Sequence, residues 1–91
     1  MDGFDGFEWD DAKNSINVDK HDIDFADATE VFADPNQLTY HSGVETNESR
    51  YISIGLSGET LLAVIFTYRG NKVRIISARK ARKSERENYE G

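Results

Sequence analysis

The sequence predicts an α+β domain: two N-terminal helices packed on an antiparallel sheet of three to four strands, with a short C-terminal helix. Three observations lead there. Apolar residues recur at helical spacing as far as Phe32 and then alternate with period two from Tyr51 onward. Gly70 and Asn71 sit between two apolar runs, a strong signal for a two-residue hairpin turn. Ninety-one residues give a single domain, 1–91, with one modest core.

Phe7, Glu8 and Trp9 read as a short strand or anchor, with Trp9 plugging the core. Asp10 and Asp11 suit the N-cap and first turn of a helix running to about His21, since carboxylates complement the positive end of the helix dipole. Ala12, Ile16 and Val18 are expected to face inward. A second helix is expected from its N-cap Asp24, burying Phe25, Ala28, Val31 and Phe32. It stops before Asp34 and Pro35, because a residue preceding proline is pushed out of the helical region.

Gln37–His41 reads as a strand and Ser42–Ser49 as a polar loop. Tyr51–Leu56 alternates, Ser57–Thr60 is a turn, and Leu61–Tyr68 is an apolar strand. Val73–Arg79 follows the second hairpin, and Arg82–Glu90 forms the last helix. With two-residue turns, Ile52, Ile54, Leu56, Ala63, Ile65, Ile76 and Ala78 should share the face under the N-terminal helices. Tyr51, Ser53, Val64, Phe66, Tyr68, Ile75, Ser77 and Arg79 then form a half-open face. On straight strands Arg79 and the pair Arg69 and Arg74 fall on opposite faces. Either a bulge intervenes or only one group is catalytic.

A net charge of −6 hides a division of charge. Arg69–Arg86 holds eight of the eleven basic residues and one acid, whereas the first 48 residues hold thirteen acids against Lys13 and Lys20. Salt screens exposed charges over roughly 8 Å, so a phosphate meets the local cations rather than the total. The plainer reading is a set of solvated strand ends. There is no cysteine, hence no disulfide, thiolate zinc site or thiol nucleophile. The opening residues lack the basic and apolar regions of a signal peptide, and no apolar run is long enough to span a bilayer. A cytoplasmic protein without membrane contact is expected.

Arginine's planar, permanently charged fork matches phosphate, which singles out Arg69, Arg74 and Arg79. The last helix places Arg82, Glu85, Arg86 and Tyr89 on one face, offering an acid or base and a stacking ring, or simply a salt-laced helix packed on the sheet. His21 and His41 titrate near neutrality, and His21 also suits capping of the first helix. Lys72, Lys80, Arg82, Lys83 and Arg86 complete the cationic set expected to meet a phosphate polyanion. No acidic or histidine cluster has metal-ligand spacing, so no metal or other cofactor is expected. Phosphodiester cleavage would then use the neighbouring 2′-hydroxyl of RNA, sparing DNA.

Two blocks go further. One comprises Phe7, Glu8, Trp9, Asp10, Lys13, Asn17, Lys20, His21, Ile23, Phe25, Ala28, Val31, Phe32, Asp34 and Pro35. The other runs from Arg69 and Gly70 through Val73–Ala81 to Glu85, Arg86, Tyr89 and Glu90. In this order and spacing the chain resembles the BrnT toxins of type II toxin–antitoxin systems. The resemblance implies a RelE-like fold and a ribonuclease that blocks translation. It also implies neutralisation by a BrnA-type antitoxin with a ribbon-helix-helix segment, so that DNA is met only through the antitoxin. Arg69, Arg74, Arg79, Lys80 and Tyr89 match the positions expected to serve RNA, and His21 and Glu85 match as well. The chain departs from the family pattern at Asp22, where glycine is usual, and at Arg82, which replaces a capping serine or threonine and should delay the last helix to Ser84 or let it fray. The competing function is a catalytically inactive member of the same fold that acts only in antitoxin binding and operon repression. A third is an RNA-binding domain without cleavage, stacking bases on Tyr51, Phe66 and Tyr68.

Overall fold

The computed structural model describes residues 5–91; Met1–Phe4, part of the segment read for a signal peptide, lie outside the described residues. The fold is α+β with a five-stranded mixed sheet and three α-helices, so the expected purely antiparallel sheet of three to four strands is corrected. In chain order the elements are β1 (Phe7–Glu8), α1 (Asp11–His21), α2 (Phe25–Ala28) continued by a 3₁₀ turn (Thr29–Ala33), β2 (Leu38–Glu45), β3 (Glu48–Ser57), β4 (Thr60–Arg69), β5 (Lys72–Lys80) and α3 (Lys83–Glu90). The sheet order is β1-β5-β4-β3-β2, and β1 runs parallel to β5.

The expected loop at Ser42–Ser49 is instead a hairpin. Thr46 and Asn47 both take left-handed conformations, at φ 50° and 63°, and close β2 onto β3 in two residues. The hairpins at Gly58–Glu59 and Gly70–Asn71 have the expected two-residue turns.

Residues paired directly across antiparallel strands share a face. One face gathers Tyr51, Ser53, Leu62, Val64, Phe66, Val73, Ile75 and Ala78, and it lies under α2 and the 3₁₀ turn through Phe25, Ala28, Val31 and Phe32. Phe32 packs edge-on against Phe66 with ring centroids 5.0 Å apart, and Trp9 meets Phe25 at 6.0 Å. The other face carries Ile52, Ile54, Leu61, Ala63 and Ile65, and α3 covers one end of it with Tyr89. The expected assignment of faces is therefore inverted. The small side chains of Ser53 and Gly55 decide this: they leave room for the 3₁₀ turn, and a Cβ at Gly55 would lie 2.9 Å from Val31 Cγ1.

A bulge at Ile76 corrects the placement of the last strand. Phe66 pairs with Ile75 but Ile65 pairs with Ser77, leaving Ile76 as the extra residue. Ala78 thereby joins the face under α2, and Ser77 and Arg79 take the face under α3.

Helix α1 packs beside the outer edge of β5 rather than over a face, which overturns the inward placement of Ala12, Ile16 and Val18. Those three are exposed, Ile16 by 57%, and Asn17 is the buried residue. Its amide pairs with the backbone of Ala78 as a strand would: Nδ2 donates to Ala78 O at 2.9 Å and Oδ1 accepts from Ala78 N at 3.1 Å. Nδ2 also donates to Ile23 O, and Oδ1 accepts from Ser77 Oγ. Helix α1 ends at Asp22, in a left-handed conformation with φ 59°. Glycine adopts that geometry without steric cost.

Candidate active site

The bulge resolves the conflict of strand parity. Arg69 pairs with Lys72, Arg74 with Thr67 and Arg79 with Ala63, so all three arginines rise from the face bearing α3. Arg50, paired with Gly43 on β2, joins them from β3. The floor between them is apolar: Ile52, Ile54, Ala63 and Ile65.

At the α3 end, Arg79 Nη1 and Nη2 donate to Glu85 Oε1 and Oε2 at 2.7 and 2.8 Å, a bidentate pair with side chains only 16% and 10% exposed. Glu85 Oε1 also accepts from the backbone N–H of Arg82 at 2.8 Å. Arg82 has no acceptor to offer in return, so only half of a capping box forms. That half suffices to start α3 at Lys83 rather than at Ser84. The hydrogen bonds from Arg79 hold the Glu85 carboxyl below the usual carboxylate range despite its burial. They raise the Arg79 guanidinium in turn, and Tyr40 on β2 lies near enough to add to that shift.

Tyr89, one turn beyond Glu85, donates its hydroxyl to Asp34 Oδ2 at 2.6 Å. That oxygen also accepts from Leu56 N at 2.9 Å, and Oδ1 accepts from Asn36 N at 2.8 Å. Burial raises the Asp34 carboxyl, but these bonds outweigh it and hold the group below its ordinary value. The same bond to Asp34 raises the Tyr89 phenol, which keeps its proton.

At the opposite end, Arg69 pairs with Glu48 at 2.8 Å and Arg74 with Glu8 at 3.0 Å. Lys72 is exposed at the hairpin tip. Lys80, Arg82, Lys83 and Arg86 are exposed around the start of α3, with Arg86 4.0 Å from Glu90. His21 stands apart, lining a cavity of about 140 Å³ with Lys13, Ile16, Asn17, Lys20, Ile76 and Ser77. His41 packs against Tyr51 on the face under α2. The stacking surface expected of Tyr51, Phe66 and Tyr68 is not available as a whole, since Phe66 is buried and only Tyr68 is well exposed. Among the described residues no group of three or more His, Asp or Glu side chains gathers as a metal site. No described helix is long and apolar enough to cross a membrane.

Sequence reasoning passed over Arg50 and Asp34. Arg50 shares the parity of Ile52 and Ile54, which was signal enough once β3 is extended to Glu48. Asp34 enters the sequence pattern as a helix stop and as a member of the first block, with no role in the site, and its partner lies 55 residues away.

A family profile described as "Ribonuclease toxin, BrnT, of type II toxin-antitoxin system" matches residues 9–85. The chain belongs to this family of ribonuclease toxins. Membership in a type II toxin–antitoxin family brings with it an antitoxin partner. The match spans α1, the whole β2–β5 meander and α3 as far as Glu85, so it contains every arginine of the open face. No curated protein matches the chain.

Proposed function

We propose that this toxin cleaves RNA without a metal, by attack of a 2′-hydroxyl on the adjacent phosphorus. The O2′–P bond forms, the P–O5′ bond breaks, the 2′-hydroxyl proton passes to a base and the departing O5′ takes a proton. A 2′,3′-cyclic phosphate remains, and DNA, lacking the hydroxyl, is spared. The observation that carries this reading is the convergence of Arg79, Glu85, Tyr89 and Asp34 at one end of an open face lined with arginines.

Arg79 supplies the positive charge that the five-coordinate phosphorus requires, and such preorganised charge acts strongly in a partly dry site. Glu85 is a positioning residue: both its oxygens are taken by Arg79, so it fixes the guanidinium more readily than it moves a proton. Tyr89, with its proton retained, is the acid for O5′; Asp34, with both oxygens bonded, is a positioning residue that orients the phenol, and water takes the 2′-hydroxyl proton. Arg69 and Arg74 grip the backbone further along the sheet, and Lys72, Lys80, Arg82, Lys83 and Arg86 draw RNA in. The RelE-like superfamily, a BrnA-type antitoxin with a ribbon-helix-helix segment and a cytoplasmic setting complete the reading. An acidic or amphipathic antitoxin helix lying across the arginine face would block the same surface.

Purified protein incubated with RNA in excess chelator should yield fragments ending in cyclic phosphate. Tyr89→Phe should lower kcat by about 10²-fold or more with KM little changed, the usual scale of a lost proton donor. Cleavage that stops on chelation or proceeds equally on DNA refutes the mechanism. Folded wild-type protein that binds antitoxin but leaves RNA intact and growth unaffected favours the inactive binding role, in which the carboxylates paired with Arg69, Arg74 and Arg79 leave little charge free for RNA.

A further inference from the structure

Arg50 is the arginine of the open face whose hydrogen-bonding capacity is least used. Its side chain is 20% exposed; among the described residues its one ion contact is Nη1 to Glu45 at a loose 3.9 Å, and its Nε is buried with no hydrogen-bond partner. Buried donors are almost always satisfied, so one left over calls for an explanation.

Its surroundings supply one. Arg50 stands one residue before the Tyr51–Phe66 pair, so the next residue of β4, Thr67, lies beside it, and Thr67 pairs with Arg74 on β5. The Thr67 hydroxyl donates to Ser49 O at 2.7 Å and holds β3 and β4 together at that level. Arg69 rises two residues further along the same face. Glu48, 33% exposed, lies among the three arginines. Its carboxyl is held below the usual range by the hydrogen bond from Arg69, against burial, and then by the fields of Arg69, Arg50 and Arg74.

We propose that Arg50, Arg69 and Arg74 form a seat for a backbone phosphate of bound RNA, with Glu48 as the internal occupant that the phosphate displaces. This deepens the ribonuclease reading and rests on it. A phosphodiester presents two charged oxygens to guanidinium forks, a better match than one carboxylate bonded to a single fork. Glu48 is exposed enough to swing into solvent, and the oxygen that enters gives Arg50 Nε its acceptor. Ala63, opposite Arg79, and Thr67, opposite Arg74, are four residues apart on β4. At roughly 3.3 Å per residue that is about 13 Å. The seat therefore holds a flanking phosphate rather than the one being cut, and it makes the site prefer RNA of several nucleotides over a dinucleotide.

The test measures affinity of the full chain for a 2′-O-methyl oligoribonucleotide, which cannot be cleaved, across salt concentrations. Arg50→Gln should weaken binding about tenfold and reduce the salt slope by about 0.7, the value for one phosphate contact on a single strand. Arg50→Lys should recover the slope but only part of the affinity. Glu48→Gln should tighten binding, a gain that a misfolded variant does not produce. In parallel, titration with inorganic phosphate should shift the Arg50 Nε–H resonance of the wild type. If Arg50→Gln and Glu48→Gln bind as the wild type does while the wild type cleaves RNA in excess chelator, the seat is refuted and the ribonuclease reading stands. If phosphate shifts Arg50 Nε–H but the oligonucleotide does not bind, the anion seat stands and its RNA occupant is refuted. Neither binding nor a shift refutes both.

Discussion

Replacing Arg79 by alanine is the obvious test of the arginine face, and the structure indicates that it will disturb stability as well as chemistry. Arg79 and Glu85 are a mostly buried bidentate pair. Without Arg79, the Glu85 carboxylate keeps only the backbone N–H of Arg82 as a partner. Leaving one member of a buried pair uncompensated costs about 3–5 kcal/mol. A domain of this length has a total stability on the order of 5–14 kcal/mol, so the loss is a large share of it. With a urea slope of about 1.5 kcal/mol/M, the unfolding midpoint should fall by about 2–3 M. The double variant Arg79→Met with Glu85→Leu removes both charges. It should cost only about 1 kcal/mol, mainly for the exposed Arg82 N–H at the helix start.

The pH dependence separates these cases. In the wild type the Glu85 carboxyl is held down by Arg79, so its contribution is present above the unfolded carboxyl value of about 4.3 and lost as pH falls through the lower folded value. In Arg79→Ala that contribution is gone, and burial, the largest remaining influence, raises the carboxyl against the backbone N–H and charge of Arg82. The penalty is then full near neutrality and relaxes on acidification, so the gap between variant and wild type should narrow from pH 7 toward pH 4. Urea unfolding followed by circular dichroism at both pH values measures it. A loss below about 1 kcal/mol in Arg79→Ala, constant with pH, would refute the reasoning by showing that water screens the pair.

Three further outcomes are expected. Asn17→Ala strips the backbone of Ala78 of its side-chain partner and should cost about 2–4 kcal/mol in urea unfolding, with faster hydrogen exchange at the Ala78 amide. Gly55→Ala drives a methyl against Val31 Cγ1 and the Val31 carbonyl, and should lower stability by about 1–3 kcal/mol in the same assay. Asp22→Gly relieves a left-handed, acidic helix end and should gain about 0.5–1 kcal/mol, raising Tm by about 3–6 °C in a thermal melt.

Helix caps, hairpin turns and the helical core residues were legible because each is a local rule. Asp10 accepts from Lys13 N, Asp24 accepts from Ala26 N, and Gly70–Asn71 closes its hairpin in two residues. The first hairpin was missed because threonine followed by asparagine is a weak turn signal. Threonine resists the left-handed region that its position at φ 50° demands. The inward residues of α1 were missed for a different reason. Its apolar side chains suit a helix lying on a sheet face, but its one buried contact is a hydrogen-bonded asparagine at a sheet edge, which hydrophobic spacing does not register. The pairing of Tyr89 with Asp34 joins residues 55 apart in the chain, so no local pattern carries it.

The site depends on parity more than on composition. Arg74 and Arg79 are separated by an odd number of residues, which on a regular strand sets them on opposite faces. Val73, Ile75 and Ala78 have the same mismatch, since Ala78 must turn with Val73 and Ile75 toward Phe25 and Phe32. One extra residue at Ile76 resolves both, and the core supplies the reason for it: burying Val73, Ile75 and Ala78 together is favourable only if the strand gains a residue between Ile75 and Ala78. Asn17 then meets the backbone of Ala78 just past the irregularity, where β1 no longer covers the edge. The same packing that completes the core beneath α2 therefore turns Arg79 to the opposite side, onto the face that Arg50, Arg69 and Arg74 share. Fold and site are in this sense one solution, and a substitution that straightens β5 would remove the arginine face while leaving every arginine in place.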